Sequence, residues 1–256
     1  MSKTGLAFEN LTVAYGTRTV LDRISGRFRP GRLLALIGPN GSGKSTLLKA
    51  LGGLLPYGGS ITLDGREIRS TPRRELGRKI GMLPQSAHLD TALTVYDLIA
   101  LGRLPHEKLI PASNREDEAL ILNCAQRLQL GDLLFQSASS ISGGETQRAL
   151  LAMLLAQDPQ IFLLDEPNSA TDIKHAALIF SLFKRMASDH GRIAVASVHD
   201  VNLAMRFADD LLALKGGAII EAGPIENLDG DLLESLYEVP FERFASMDGK
   251  TVWHAV

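Results

Sequence analysis

Cysteine is almost absent from this sequence: its 256 residues hold one, Cys124. A single thiol excludes an intramolecular disulfide and a cysteine-based zinc site, and it fits a reducing compartment. Long apolar runs are missing too. The longest, such as Ala149 to Ala156, fall far short of the roughly 20 residues that span a bilayer. Met1 to Asn10 has no apolar signal-peptide core, so a soluble, cytoplasmic chain is expected. Neither sign of charge dominates, since 27 Lys and Arg stand against 29 Asp and Glu. With no polybasic tail or stripe, binding along a nucleic-acid backbone is not expected. What is present is an ordinary globular mix, 45% hydrophobic and 22% charged, able to fill a sizeable core. At roughly 150 residues per domain, the length allows one or two domains.

The first third alternates. Leu6 and Phe8, then Leu11, Val13 and Tyr15, then Ile61 and Leu63 recur with period two and predict half-exposed antiparallel strands. Leu33 to Ile37, Ile161 to Leu164, Ile193 to Val198 and Leu211 to Leu214 are instead read as continuously apolar, as in parallel strands buried on both faces. Between them the period turns helical. Leu47, Leu48, Leu51, Leu54 and Leu55 form one stripe; Ile173, Ala176, Ala177, Phe180, Phe183 and Ala187 form another. Helix-strand alternation over 145–214 predicts an α/β core.

Residues 90–140 differ. Thr94 can N-cap a helix with Asp97 at the third position, and Gly102 is expected to end it. A polar loop, Pro105 to Asn114, precedes a second amphipathic helix carrying Leu120, Ile121, Cys124, Ala125 and Leu128. This predicts a small helical insert, with Cys124 in its core. Residues 224–256 read as a short appendix with a helix near Asp231 to Tyr237 and a strand near Val252.

Gly38-Pro39-Asn40-Gly41-Ser42-Gly43-Lys44-Ser45 matches the phosphate-loop pattern G-x-x-x-x-G-K-[ST]. It follows a buried apolar run and opens a helix expected from Thr46 to Leu55. The glycines let the backbone wrap closely and turn N–H groups inward. The helix N-terminus adds about half a positive charge where phosphates sit. Lys44 can reach the β- and γ-phosphates, and Ser45 can ligate magnesium. The run Ile161 to Leu164 ends in Asp165-Glu166, carboxylates beside that loop. Asp165 can hold the magnesium shell, and Glu166 can orient or deprotonate an attacking water.

One more string decides the family. Ser142-Gly143-Gly144-Glu145-Thr146-Gln147-Arg148, with Ile141 before it, resembles the signature of ATP-binding cassette (ABC) ATPases. Ser142 and Glu145 also make a capping box for the helix Ala149 to Ala156, and the two readings are compatible. The resemblance implies that Ser142, Gly143, Gly144 and Glu145 face the γ-phosphate of ATP cradled on a second copy, in a head-to-tail homodimer around two ATP. It also implies that Tyr15 stacks on adenine, and that Pro39, Asn40 and Thr46 belong to the ATP-binding loop. By the same resemblance Gln85 contacts magnesium and water, Ser169 to Asp172 cross the dimer interface, and His199 contacts the γ-phosphate and positions water. Some positions depart from the family pattern: Ile141 replaces leucine, Glu145 glutamine, Asn168 threonine and Thr171 leucine. Glu145 therefore adds a carboxylate where a phosphate from the second copy should lie.

The fold implied is an α/β P-loop NTPase core with an N-terminal antiparallel β subdomain and an inserted α-helical subdomain. Residues 1–89 and 141–223 form the core, 90–140 the helical subdomain, and 224–256 the appendix. Thr94 to Arg103, His199 to Ala204 and Leu214 to Gly217 are similar to importers of iron-siderophore, haem and cobalamin. That implies an ATP- and Mg2+-dependent subunit on the cytoplasmic face of the inner membrane. Its helical subdomain would dock permease subunits, which are served in turn by a substrate-binding protein. A soluble mechanochemical ATPase acting on nucleic acid or ribosomes is the alternative from another class. A regulatory nucleotide-binding module without turnover would require a lost catalytic group, and Glu166 and His199 are both present.

Overall fold

A computed structural model describes residues 5–85, 93–106, 115–169, 172–245 and 251–256. The N-terminal sheet is antiparallel and joins β1 (Leu6–Tyr15), β2 (Arg18–Phe28), β4 (Gly58–Leu63) and β5 (Arg66–Glu67) in the order β2-β1-β4-β5. β1 is one strand although its apolar period slips between Phe8 and Leu11. Asn10 takes a left-handed backbone (φ 49), and the register shifts there. The bulge adds one residue, so Leu6, Phe8, Leu11 and Val13 all point inward. β2 slips at Arg23 (φ 48) between its buried Leu21 and Ile24, which hides it from a strict period-two reading.

The second sheet has the order β10-β9-β3-β8-β7-β6, from β3 (Arg32–Ile37), β6 (Ile80–Leu83), β7 (Ile161–Leu164), β8 (Ile193–Ser197), β9 (Asp210–Lys215) and β10 (Ala218–Pro224). Only β10 runs antiparallel to its neighbour. Alternate residues of the central strands enter two separate cores. Leu34, Leu36, Leu163 and Val195 pack with the antiparallel sheet, α1 (Lys44–Leu51) and Leu76; Leu33, Ala35, Phe162 and Ala194 pack with helices on the opposite face. Burial on both faces is why these runs carry no polar alternation.

On the helical side lie α3 (Val95–Ala100), α4 (Arg115–Arg127), α5 (Gly143–Gln157), α6 (Ile173–His190) and α7 (Val201–Phe207). α2 (Arg73–Lys79) leads into β6. Thr94 and Asp97 form the capping box of α3. Cys124 is buried on α4, and burial pushes its thiol up to about 11, so it is not a thiolate at neutral pH. α5 lies beyond the 90–140 segment, yet Leu151 and Leu154 share one core with Val95, Leu98, Ile121 and Cys124.

Three expectations are corrected. α1 spans Lys44–Leu51, not Thr46 to Leu55, because Gly52 caps it and Gly53 turns left-handed (φ 67), leaving Leu54 exposed. Gly102 does not end α3; it sits in the 3-10 turn Leu101–His106, where a Cβ would stand 2.1 Å from the Met153 carbonyl oxygen, so it is needed for close packing on α5. Ile173 leaves its expected apolar stripe and is 91% exposed at the first position of α6. The loop expected at Pro105 to Asn114 has its first two residues in that 3-10 turn, and its remainder lies outside the described residues.

The appendix holds α8 (Gly230–Tyr237) and a hairpin of β11 (Phe241–Ala245) and β12 (Thr251–Ala255), of which β11 escaped the sequence reading. Asn202 of α7 clamps the hairpin: its Nδ2 donates to the Trp253 carbonyl at 2.9 Å, and its Oδ1 accepts the Trp253 N–H at 2.8 Å. Asn202→Ala removes both bonds and is expected to cost about 1–2 kcal/mol. For a chain of this size that lowers Tm by roughly 2–5 °C. A thermal melt monitored by circular dichroism tests it, and an unchanged Tm would dismiss the clamp.

Candidate functional site

The loops that follow β3, β7, β8 and β6 emerge at one edge of the parallel sheet, its carboxyl end, where open α/β sheets bind ligands. After β3 comes the phosphate loop. Gly38 has φ 142, and a Cβ there would lie 2.0 Å from the Leu214 carbonyl oxygen, so no other residue fits. Gly41 and Gly43 also take positive φ. Pro39 and Asn40 form the outer bend, and the Ser42 N–H donates back to the Pro39 carbonyl at 3.2 Å. α1 starts at Lys44 without a side-chain cap and without an acidic residue in its first turn, so its leading N–H groups are left for an anion. Thr46 is buried in that first turn.

Lys44 is buried, and its ammonium donates to the carbonyls of Gly38 (2.7 Å) and Pro39 (3.1 Å). Burial lowers its pKa below the usual lysine value, opposed by the charges of Glu166 and Asp165. Ser42 Oγ is buried with no hydrogen-bond partner.

After β7 the carboxylates form a connected group. Asp165 is 1% exposed, and its Oδ1 accepts from Ser45 Oγ at 3.0 Å and Ser197 Oγ at 2.8 Å. Its Oδ2 is buried and unpartnered. A buried carboxylate oxygen left open next to a serine hydroxyl is a donor set suited to a hard divalent cation that takes its other ligands from phosphate and water. Glu166 takes a left-handed backbone (φ 50), and its Oε1 lies 2.6 Å from His199 Nε2, whose N–H donates to the carboxylate. Four residues from three distant segments, Ser45, the pair Asp165 and Glu166, and His199, thus meet at the mouth of the phosphate loop.

Other expected residues stand outside this group. Gln85 is exposed, two residues past the end of β6. Tyr15 ends β1 with 49% of its surface exposed, at the turn before β2. Ser142 caps α5, and Glu145 Oε2 accepts from the Ser142 N–H (2.8 Å) and Oγ (2.7 Å). Those bonds hold the Glu145 carboxyl below the usual range, so it is ionised. Gly143 and Gly144 form the start of α5 and carry no side chain to shield its N–H groups. Ala170 and Thr171 of the expected interface loop lie outside the described residues; Asp172 caps α6 by accepting the His175 N–H at 2.8 Å.

Two residues of this region were missed. Ser197 was counted into an apolar run, although a serine inside a buried strand is itself a signal that something polar is held there. Gln147, in the signature string, is buried and donates to the Pro167 carbonyl at 3.3 Å, which ties α5 to the loop after Glu166.

Among known proteins, the family model described as ABC transporter matches residues 21–169. The ferric enterobactin transport ATP-binding protein FepC of Escherichia coli is 39% identical over 231 residues, covering 90% of this chain and 85% of the relative. The iron(3+)-hydroxamate import ATP-binding protein FhuC of Bacillus subtilis is 32% identical over 238 residues, with 92% and 88% covered. An ABC transporter assigned to the metal-chelate type and solved in an inward-facing conformation superimposes with a TM-score of 0.84 at 26% identity, covering 99% of this chain and 98% of that one. An ATP-binding cassette solved as a dimer with ADP and Pi gives a TM-score of 0.77 at 28% identity, with 86% and 98% covered. Among the described residues no helix is long and apolar enough to cross a membrane. A phosphate loop facing paired carboxylates, on this fold and with these relatives, places the chain in the ABC transporter family as an ATP-hydrolysing, ATP-binding subunit.

Proposed function

We propose that this subunit drives import of a ferric siderophore or a related metal chelate, as a homodimer bound peripherally to permease subunits at the cytoplasmic face of the membrane. The 39% identity to a ferric enterobactin transport ATP-binding protein across 90% of the chain carries the choice of cargo. The connected group Ser45–Asp165–Glu166–His199 carries the choice of chemistry. Residues 90–140 form the unit that docks the permease, residues 1–89 and 141–223 the nucleotide-binding core, and residues 224–256 an accessory segment.

Each ATP rests with its phosphates on the N–H groups of Gly38 to Ser45 and Thr46, its γ-phosphate against Lys44, and its adenine on Tyr15. Ser45 Oγ and Asp165 Oδ2, with Gln85 at the mouth, would hold Mg2+, which would neutralise the charge that develops on the phosphates. Glu166 accepts a proton from the attacking water, while the His199 Nε2–H, held by Glu166 in the free chain, passes to a γ-phosphate oxygen when ATP binds. Ser142, Gly143 and Gly144 of the second copy close over that phosphate, and hydrolysis releases them. ATP thereby favours the closed dimer only by the contacts it makes across the interface, and the permease follows that population shift.

ATP-driven uptake in vesicles holding the chain, its permease and its binding protein tests the cargo, with ferric chelates compared against cobalamin. Stimulation of ATP turnover by DNA or RNA, with salt-sensitive binding, would instead establish the nucleic-acid alternative.

Glu145 gives a separate expectation. Its ionised carboxylate is folded onto Ser142, where the second copy's γ-phosphate arrives. Glu145→Gln keeps the side-chain shape and removes the like charge. Dimers should then form at about threefold to tenfold lower ATP, the scale for unit charges a few ångströms apart in a solvated gap. Analytical ultracentrifugation across an ATP series measures this; dimers forming only at higher ATP would show that the capping box matters more than the repulsion.

A further inference from the structure

We infer that Ser197 is a positioning residue for ATP hydrolysis, holding Asp165 and Glu166 in one fixed relation. Ser197 closes β8, is 0% exposed, and is the one polar side chain in the strand Ile193–Ser197. Its hydroxyl donates to Asp165 Oδ1 and accepts the Glu166 N–H, both at 2.8 Å. A hydroxyl has one proton and two lone pairs, so a single serine can do both.

Both contacts answer a local need. Past Leu164 the Asp165 N–H still follows the sheet and donates to the Leu83 carbonyl at 3.0 Å. One residue later the chain turns left-handed at Glu166 (φ 50), and the Glu166 N–H leaves the ladder. A non-glycine residue persists in that conformation only when its surroundings hold it there. Ser197 supplies the acceptor that the sheet no longer offers to the Glu166 N–H, and the His199 imidazole holds the end of the Glu166 side chain at 2.6 Å. On the Asp165 side, the Ser197 and Ser45 hydroxyls both occupy Oδ1, which leaves Oδ2 as the oxygen free to meet a cation. One buried hydroxyl therefore acts with Ser45 to set which oxygen Asp165 presents, and also fixes the backbone from which Glu166 points.

The inference rests on the Mg2+-dependent ATPase reading above. It is tested in the full chain with Ser197→Ala, comparing ATP turnover with binding of a fluorescent ATP analogue in EDTA and in Mg2+. Misaligned carboxylates should lower kcat by about tenfold to a hundredfold. KM for ATP and analogue affinity in EDTA should stay within about threefold, because the phosphate loop is untouched. The gain in analogue affinity on adding Mg2+ should shrink. Should the alanine chain melt below assay temperature, Ser197→Cys, similar in shape and a much weaker donor, takes its place with the same expectation.

A variant with kcat within twofold of the parent overturns the inference. So does a variant that loses turnover and EDTA-state binding in parallel, since that is the mark of a merely structural serine. A parent chain that fails to hydrolyse ATP at all would sink the ATPase reading, and the inference that rests on it would fall with it.

Discussion

Replacing Glu166 by glutamine is expected to lower kcat for ATP hydrolysis by about 10²- to 10⁴-fold, the usual worth of a positioned general base. The amide matches the carboxylate in shape, so its carbonyl oxygen can keep the contact to His199, now 2.6 Å, and the strained backbone at φ 50 is unchanged. What is lost is the capacity to take a proton from water. The phosphate loop, Lys44 and Ser45 are left intact, so ATP affinity should hold while turnover collapses. In the proposed cycle hydrolysis releases the second copy, so the variant should accumulate as an ATP-bound dimer. Steady-state phosphate release and size-exclusion chromatography with ATP check the two halves of this expectation. Hydrolysis at the parent rate would end the assignment of Glu166 as base.

Lys44→Ala should fail earlier, at binding. The ammonium is buried and now satisfied by two neutral carbonyls, Gly38 at 2.7 Å and Pro39 at 3.1 Å. Phosphate oxygens are stronger, charge-assisted acceptors for the same protons. Removing one partner of such a desolvated pair costs about 2–5 kcal/mol, which is roughly 30- to 5000-fold in Kd. Titration calorimetry measures it directly, and a Kd within threefold of the parent would remove Lys44 from the phosphate contacts.

The same lysine sets a pH dependence. Burial is the main cause of its lowered pKa, with Glu166 and Asp165 opposing. Between the lowered value and the ordinary lysine value, the folded chain binds fewer protons than the unfolded chain. The desolvation cost is therefore fully present below that window and is relieved as pH rises through it. With Lys44 on the phosphates as proposed, ATP would prefer the charged lysine, so ATP affinity should fall as pH rises through the lowered pKa, and binding there should take up a proton. Calorimetry in two buffers of different ionisation enthalpy would reveal the uptake; affinity flat across the alkaline range would refute it.

Much of this was open to reading in the chain alone, for identifiable reasons. A phosphate loop needs small residues and a Lys-Ser pair at fixed spacing, so Gly38 to Ser45 carries its geometry in its letters. Central strands buried on both faces lose their polar alternation, which is why β3, β7 and β8 could be located without a structure. Capping boxes are local as well, and those of Thr94–Asp97 and Ser142–Glu145 form as their spacing predicts. The bulged strands were harder. Asn10 shifts the phase of alternation in β1 and Arg23 that in β2, and β2 left no clean period. The end of α1 was overextended because Leu54 and Leu55 continued the helical stripe across Gly52-Gly53.

By itself the sequence determined the phosphate loop, the order of the motifs and the α/β class, because each depends on residues a few positions apart. Only the tertiary structure decided the relation among Ser45, Asp165, Glu166, Ser197 and His199. These residues stand at the ends of different elements, and nothing in their spacing reveals which oxygen of Asp165 is filled and which is left open. That choice follows from the register of β7 against β8, which sets Leu164 against Ala196 and leaves Ser197 beside the two carboxylates just past the end of β7. Register is a long-range property, fixed by packing on both faces of the sheet and not by any local run of residues.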